Sequence, residues 1–201
     1  MNDNPLAHIH MDNGAEIVIE LLPEAAPNTV NSFIYTAGRG LMDGHAIERI
    51  VPGSWVDVTY RSFGKKQAQY LIPWEFQLHP DIEPLDSHPG CVCKGGYGEA
   101  GPAGCEFFFP LRDCPEHKGI YPVFGKVLSG MDEVLRIASV PTRPVKDFPL
   151  AGVEVNEPIQ PQVIKSVTLD LKGKKYPDPV KLEHFRVPAC WTWEREKGSG
   201  V

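Results

Sequence analysis

Residues that interrupt regular structure occur throughout this chain and constrain its fold more than any other feature. There are 19 glycines and 20 prolines among 201 residues. Together they make up roughly a fifth of the chain, against about 12% in an average protein. Because glycine and proline disfavour helix interiors, long helical bundles and coiled coils do not suit this composition. Many short strands joined by turns fit it better.

Length and charge narrow the class of protein further. A chain of 201 residues with 42% hydrophobic and 23% charged residues is typical of one globular domain. The net charge of −6 argues against a nucleic-acid partner bound through a general basic field, although a small local basic site would be compatible with it. No apolar run reaches 18 residues and the first residues form no basic, apolar leader, so we expect no membrane partner and a cytoplasmic location.

The cysteines are odd in number, which favours reduced thiols. They are Cys91, Cys93, Cys105, Cys114 and Cys190. Their spacing matches no common zinc pattern, and small core residues explain them better than metal ligands. His8 and His10 share one face of a predicted strand, where a surface pair is favoured over a metal site. The sequence therefore predicts no metal and no cofactor.

Local patterns predict a hairpin and two short helices. Asn13-Gly14 between two apolar runs is typical of a hairpin turn. Pro27 can open a helix, because its missing amide hydrogen costs nothing there. Apolar residues then follow helical spacing in two places, which are Val30, Phe33, Ile34 and Ala37, and later Met131, Val134, Leu135 and Ala138.

The remaining patterns indicate strands and two long loops. Further strands are predicted over residues 47–51, 54–60, 91–94, 106–109, 122–127 and 162–171, with 70–74 as a further extended segment. Glycines and prolines predict loops over 95–104 and 141–161. The result is a mainly β fold of about eight strands and two helices, over residues 1–171. The polar segment 172–201 is predicted to lie outside this fold as an extension, with Trp191 and Trp193 packed on an apolar surface.

The order of these motifs resembles that of the cyclophilin family of peptidyl-prolyl cis-trans isomerases. The resemblance covers roughly residues 7–171 and rests on five ordered segments, which are 14–33, 48–53, 104–109, 124–134 and 161–167. It implies an eight-stranded antiparallel closed barrel capped by two short helices. The strand count obtained from the patterns alone agrees with it.

The resemblance also implies an activity and its central residues. The barrier to rotation about a peptide bond is about 18–20 kcal/mol, and X-Pro isomers interconvert slowly. The family lowers this barrier on peptides and unfolded proteins with an apolar slot for the proline ring and a hydrogen-bond donor. Arg49 matches the donor and Phe108 matches the slot floor.

Other wall positions depart from the family pattern. The residues at these substrate-binding positions are Trp55, Asp57, Gly95, Gly96, Glu106, His117 and Tyr121. Asp57 and Glu106 replace neutral glutamines, so we expect at least one carboxylate to contact Arg49 and occupy part of its donors. The altered wall predicts reduced isomerase activity. A family tryptophan linked to cyclosporin-type inhibitors is absent, which predicts weak binding of them.

Two other functions remain open at this point. A non-catalytic proline-peptide binding or chaperone module would use the same fold, and a barrel of this kind could hold a different small ligand. The retained Arg49 and Phe108 favour the enzyme, whereas the changed wall favours the alternatives. The oligomeric state is left open.

Overall fold

The computed structural model describes residues 3–97 and 102–193, and only the backbone of residues 102 and 103. The strands of this part are β1 Leu6–Met11, β2 Glu16–Leu21, β3 His45–Ala46, β4 Arg49–Val51, β5 Trp55–Asp57, β6 Cys91–Gly96, β7 Pro102–Pro110, β8 Val123–Ser129, β9 Thr142–Pro144, β10 Asn156–Pro158 and β11 Val163–Asp170. The α-helices are α1 Pro27–Gly38, α2 Glu75–Leu78, α3 Met131–Ala138 and α4 Ala189–Thr192. Among these helices, none combines the length and apolar character needed to cross a bilayer.

Nine strands form one antiparallel sheet in the order β3-β11-β1-β2-β8-β6-β7-β5-β4. The sheet begins and ends on the same chain segment, 45–51, in which residues 47 and 48 separate β3 from β4. Between them, the Ile47 amide donates to the Gln162 carbonyl (2.9 Å) and the Glu48 amide to the Val58 carbonyl (3.2 Å). Counted as one strand, this segment reduces nine strands to the predicted eight. The predicted mainly β, cyclophilin-like barrel is confirmed, but it is not fully closed, because among the described strands β3 pairs only with β11 and β4 only with β5.

Successive side chains along the strands point alternately into the barrel interior and to the outer face of the sheet. Ile17, Ile19 and Leu21 of β2 lie in the main core. Phe107 and Phe109 of β7 join the same core, whereas Phe108 between them packs in a separate cluster. This follows from the two-residue period of a strand. It places Phe108 on the face opposite the barrel interior.

Both predicted helices are confirmed. Val30, Phe33 and Ala37 of α1 are buried, and α1 begins at Pro27. In α3 Leu135 is 51% exposed, and Ile137 is buried. A helix of eight residues has room for one narrow buried stripe, and Val134 with Ile137 forms it.

Three irregular segments differ from the sequence expectations. Residues 141–161 are not wholly loop, since β9 and β10 pair there as a small hairpin; we call residues 145–155 between them the covering loop. The strands β6 and β7 extend into the predicted loop 95–104, of which residues 98–101 lie outside the described part. Residues 70–74 form no strand and lead directly into α2.

The segment after residue 172 adds no strand to either sheet as far as residue 193, and it contacts the rest of the molecule. The Leu182 amide donates to the Leu71 carbonyl (2.8 Å), and the Val180 amide donates to Asn28 Oδ1 (2.8 Å). Cys190 is fully buried. The division of the chain at residue 171 into a barrel and an extension stays a prediction.

Candidate functional site

A cavity of about 630 Å³ lies beside β4, β5 and the covering loop. Most of the predicted site residues line it, which are Arg49, Trp55, Asp57, Gly95, Gly96, Glu106 and Tyr121. The structure therefore brings together residues that lie far apart along the chain. Phe108 and His117 are not among the lining residues and pack next to Trp55 and Tyr121.

Arg49 is held from two sides. Because β4 and β5 are antiparallel, Arg49 lies directly opposite Asp57, and Nη1 is 3.3 Å from Asp57 Oδ2. The Arg49 Nε donates to the backbone carbonyl of Glu154 in the covering loop at 2.8 Å. Its Cζ is 5.8 Å from the centre of the Trp55 ring, within range of a cation–π contact. Two of the guanidinium nitrogens are thus engaged within the protein.

Asp57 is an unusual acid in this site. Burial raises its pKa from 3.8 to about 7, against the opposing effect of the positive charge on Arg49. The Asp57 side chain is 16% exposed and that of Arg49 is 17% exposed, so solvent screens the pair only in part. Near neutral pH the carboxyl therefore exists in both protonation states, and its electrostatic hold on Arg49 depends on pH.

Glu106 lines the same cavity but its carboxylate is bound elsewhere. It accepts hydrogen bonds from the Ser62 amide (3.2 Å), the Ser62 hydroxyl (2.9 Å), the Cys105 amide (3.1 Å) and the Tyr97 hydroxyl. Only 3% of the residue is exposed. The prediction that at least one carboxylate contacts Arg49 is confirmed through Asp57 alone. Glu106 instead organises the backbone around Ser62.

Phe108 is covered by three other rings. The centre of its ring is 6.0 Å from Trp55, 5.4 Å from His117 and 5.9 Å from Tyr121. Phe108 is 5% exposed, and burial lowers the pKa of His117, which favours a neutral imidazole. A proline ring can reach Phe108 only after one of these rings moves.

Two glycines keep the cavity open on the β6 side. A Cβ atom at Gly95 would lie 3.0 Å from the Glu106 Cβ, and one at Gly96 would lie 3.3 Å from Tyr121 Cε1. Any larger residue at either position would push against the facing side chain. Their lack of a side chain therefore leaves space between Glu106 and Tyr121.

The covering loop also contributes to the cavity, which the sequence patterns did not predict. The loop supplies one wall of the cavity through Phe148, Leu150, Ala151, Val153 and Val155. The Val145 amide closes the loop by donating to the Val155 carbonyl (2.8 Å). One sequence feature could have revealed this wall. The proline-rich segment contains several apolar residues, and a loop surrounded by solvent would not need them.

Aromatic residues fasten this wall to the barrel and to the C-terminal segment. The Phe148 ring meets Tyr60 with ring centres 5.0 Å apart, and it meets Trp193 at 5.6 Å. The indole nitrogen of Trp191 donates to the Tyr97 hydroxyl at 2.6 Å. The tail residues thus pack on an apolar surface next to the cavity, as the sequence predicts for the two tryptophans.

Comparisons with known proteins point to one family. The family model described as cyclophilin type peptidyl-prolyl cis-trans isomerase/CLD matches residues 6–169. Peptidyl-prolyl cis-trans isomerase B of Bacillus subtilis is 31% identical over 124 residues, which cover 61% of this chain and 82% of that protein. Peptidyl-prolyl cis-trans isomerase-like 1 of Gibberella zeae is 29% identical over 147 residues, covering 70% and 89%.

Solved structures show the same fold. A cyclophilin-type peptidyl-prolyl cis-trans isomerase of Cryptosporidium parvum, crystallised in the presence of the dipeptide Ala-Pro, superposes with a TM-score of 0.64. Its sequence is 18% identical, and the match covers 82% of this chain and 98% of that one. Fold, ordered motifs and a family model that spans most of the sequence lead to one conclusion: the chain belongs to the cyclophilin-type peptidyl-prolyl cis-trans isomerase family.

Proposed function

We propose that this protein isomerises X-Pro bonds in peptides and unfolded protein segments, with Arg49 as the essential donor and at a lower rate than is usual for its family. The observation that carries the proposal is the position of Arg49 in the wall of the cavity, on the strand whose sequence matches the family's catalytic strand. The substrate class rests on family membership.

The chemistry asks for one hydrogen-bond donor rather than a nucleophile. Rotation of the amide interrupts delocalisation of the prolyl nitrogen lone pair into the carbonyl. A donor near this nitrogen stabilises the twisted amide more than the planar one, and such a difference is what lowers a barrier. Arg49 suits this role because its guanidinium stays charged at any working pH. Its Nη2 has no hydrogen-bond partner among the described residues.

The lower rate follows because contacts within the protein compete with the substrate at Arg49 and at Phe108. Nη1 and Nε of Arg49 donate hydrogen bonds to Asp57 and to the Glu154 carbonyl. These hydrogen bonds must break before either nitrogen can donate to a substrate. Trp55, His117 and Tyr121 cover Phe108, so the proline ring must displace at least one of them. Each tenfold loss of rate needs about 1.36 kcal/mol.

The direct test is a protease-free assay of prolyl isomerisation on a short X-Pro peptide, with the wild type and Arg49→Ala compared. We expect Arg49→Ala to lose at least about tenfold in kcat/KM, equivalent to about 1.36 kcal/mol. Arg39→Ala is the matched control, because Arg39 is an exposed arginine paired with Asp178 and does not line the cavity. Equal rates with and without the wild-type protein would refute the enzymatic role.

The covered Phe108 ring favours one second candidate, a module that binds proline-containing segments without isomerising them. Such a module needs the cavity but not the donor. Titration of an X-Pro peptide would then show binding that Arg49→Ala leaves intact, together with no acceleration of isomerisation. If the wild type accelerates isomerisation and Arg49→Ala loses this acceleration, the enzyme is the better description, whether or not the variant still binds the peptide.

The cytoplasm is the proposed location. All five cysteines are unpaired and buried. Thiols persist in reducing compartments, whereas disulfides are favoured outside them.

A further inference from the structure

His117 has a buried nitrogen without a partner. The residue is 6% exposed, and its Nδ1 atom is buried with no hydrogen bond to the described part of the chain. Leaving such an atom unsatisfied is unfavourable, and native proteins contain few of them. A buried imidazole nitrogen in this state is able to coordinate a metal ion.

Two other metal-binding side chains lie around His117. Cys114, Glu116 and His117 each contribute one ligand atom, and these three atoms lie within 4.8 Å of one another. The backbone holds them on one tight turn, since the His117 amide donates to the Cys114 carbonyl at 3.0 Å. The Cys114 amide in turn donates to the Ser87 carbonyl at 2.8 Å, which anchors the turn to the preceding segment.

We propose that Cys114, Glu116 and His117 form a binding site for a divalent metal ion of the zinc type. A thiolate, an imidazole and a carboxylate are the three ligand types that zinc prefers, and three protein ligands leave a fourth position for water. Zinc bonds of about 2.0–2.3 Å in a tetrahedron keep ligand atoms about 3.5 Å apart. The ligand atoms, which now lie within 4.8 Å of one another, must approach to this distance when the metal binds. The Cys114 thiol gives its proton to solvent when the sulfur binds the metal.

The contacts that metal binding would break are weak. Glu116 forms an ion pair with Arg112, and their side chains are 51% and 44% exposed. Exposed pairs of this kind contribute little to stability, because solvent screens them and their long side chains lose entropy when they pair. The Cys114 sulfur makes one long contact, 3.5 Å, with the Arg112 carbonyl. Coordination therefore breaks only these weak contacts, and coordination through Nδ1 would give the unpaired His117 nitrogen a partner.

The site would also be connected to the proposed proline slot. The His117 ring lies 5.4 Å from both Trp55 and Phe108, and 4.9 Å from Tyr121, measured between ring centres. A bound metal would hold this ring in place and keep Phe108 covered. This consequence rests on the proposed function, whereas metal binding itself does not.

The first experiment titrates metal-free, fully reduced protein with Zn²⁺ by calorimetry and measures the metal retained after dialysis. We expect one equivalent in the wild type. Outer contacts of metal ligands alone are worth about 10–100-fold in affinity, so loss of a direct ligand in His117→Leu or Glu116→Gln should weaken binding at least about tenfold. Glu116 is exposed, so its variant should fold normally. Co²⁺ should give a thiolate charge-transfer absorption that Cys114→Ala lacks.

Cys190→Ser is the matched control, because it removes a buried thiol that contacts the Tyr60 carbonyl instead of this cluster. It should keep the single equivalent. The proposal is overturned if the wild type binds no Zn²⁺, if His117→Leu and Glu116→Gln bind it as tightly as the wild type, or if Cys190→Ser loses it equally.

The effect of the metal on the proline slot is tested by a separate measurement. Zn²⁺ should slow isomerisation by the wild type and leave His117→Leu unaffected. Bound metal with no change of the wild-type rate would refute the connection while the site stands. If the protein accelerates no isomerisation, the proposed function fails and the calorimetric titration still decides on the metal site.

Discussion

The ion pair between Arg49 and Asp57 allows a quantitative prediction about activity. Asp57→Asn preserves the size and shape of the side chain and removes its charge. A hydrogen bond to a charged group contributes about 1.5–3 kcal/mol, and the Nη1–Oδ2 distance of 3.3 Å places this one at the weak end. Releasing about 1.5 kcal/mol corresponds to roughly tenfold in rate. We therefore expect Asp57→Asn to raise kcat/KM about tenfold at pH 8.

The protonation state of Asp57 determines how kcat/KM should change with pH. The pKa of Asp57 is raised to about 7 by burial, so the carboxyl is ionised above pH 7 and neutral below it. The neutral form holds Arg49 less strongly. The wild-type kcat/KM should therefore rise as the pH falls from 8 to 6, and Asp57→Asn should remove this dependence. Because the folded pKa lies above the unfolded value, the Asp57 contribution to stability is largest below about pH 4 and is lost as the pH rises through 7.

The assay should follow exchange of an uncharged X-Pro peptide without a coupled protease, so that only groups of the protein titrate. Glu106→Gln is the matched control, since it also removes a buried carboxylate lining the cavity but one that does not contact Arg49. The reasoning is refuted if Asp57→Asn is no faster than the wild type at pH 8, or if its pH profile is unchanged.

Three further outcomes are expected. Glu106→Gln should lower the free energy of unfolding by about 1–3 kcal/mol in chemical denaturation, without raising kcat/KM, because donors such as the Tyr97 hydroxyl lose a charged acceptor. Phe108→Ala should lower the free energy of unfolding by about 3–5 kcal/mol. The loss would be much smaller if the Phe108 ring were exposed. Truncation after residue 172 removes the packed Trp191, whose burial stabilises the fold by roughly 2 kcal/mol or more. The truncation should therefore lower Tm by about 4–8 °C in calorimetry. An unchanged Tm would indicate a loosely attached C-terminal segment.

Local sequence patterns were sufficient to predict most of the elements of this fold. Asn13-Gly14 determines the first hairpin, and the spacing of apolar residues after Pro27 determines α1. Alternation in β7 correctly separates Phe108 from its neighbours. Each of these features depends on residues close together in the chain, which is why a pattern can reveal it.

The features that could not be predicted depend on distant backbone atoms. The Glu154 carbonyl reaches Arg49 across 105 positions, and a carbonyl group has no signature in a sequence. The direction of the Glu106 carboxylate was also inaccessible, because the donors around Ser62 and Tyr97 decide it rather than the alternation of β7. His117 was identified by its place in a motif, but its unpaired nitrogen could be seen only in three dimensions.

The shared segment 45–51 has a consequence for the order of events during synthesis. Arg49 lies on a segment that pairs early with β5 on one side, yet the other side must wait for β11, and its Nε must wait for Glu154. Contacts of such long range form slowly. A nascent chain that has emerged only as far as β8 contains Arg49, Asp57 and Phe108 but lacks the wall that completes the cavity. The protein should therefore acquire its activity only once nearly the whole barrel has left the ribosome.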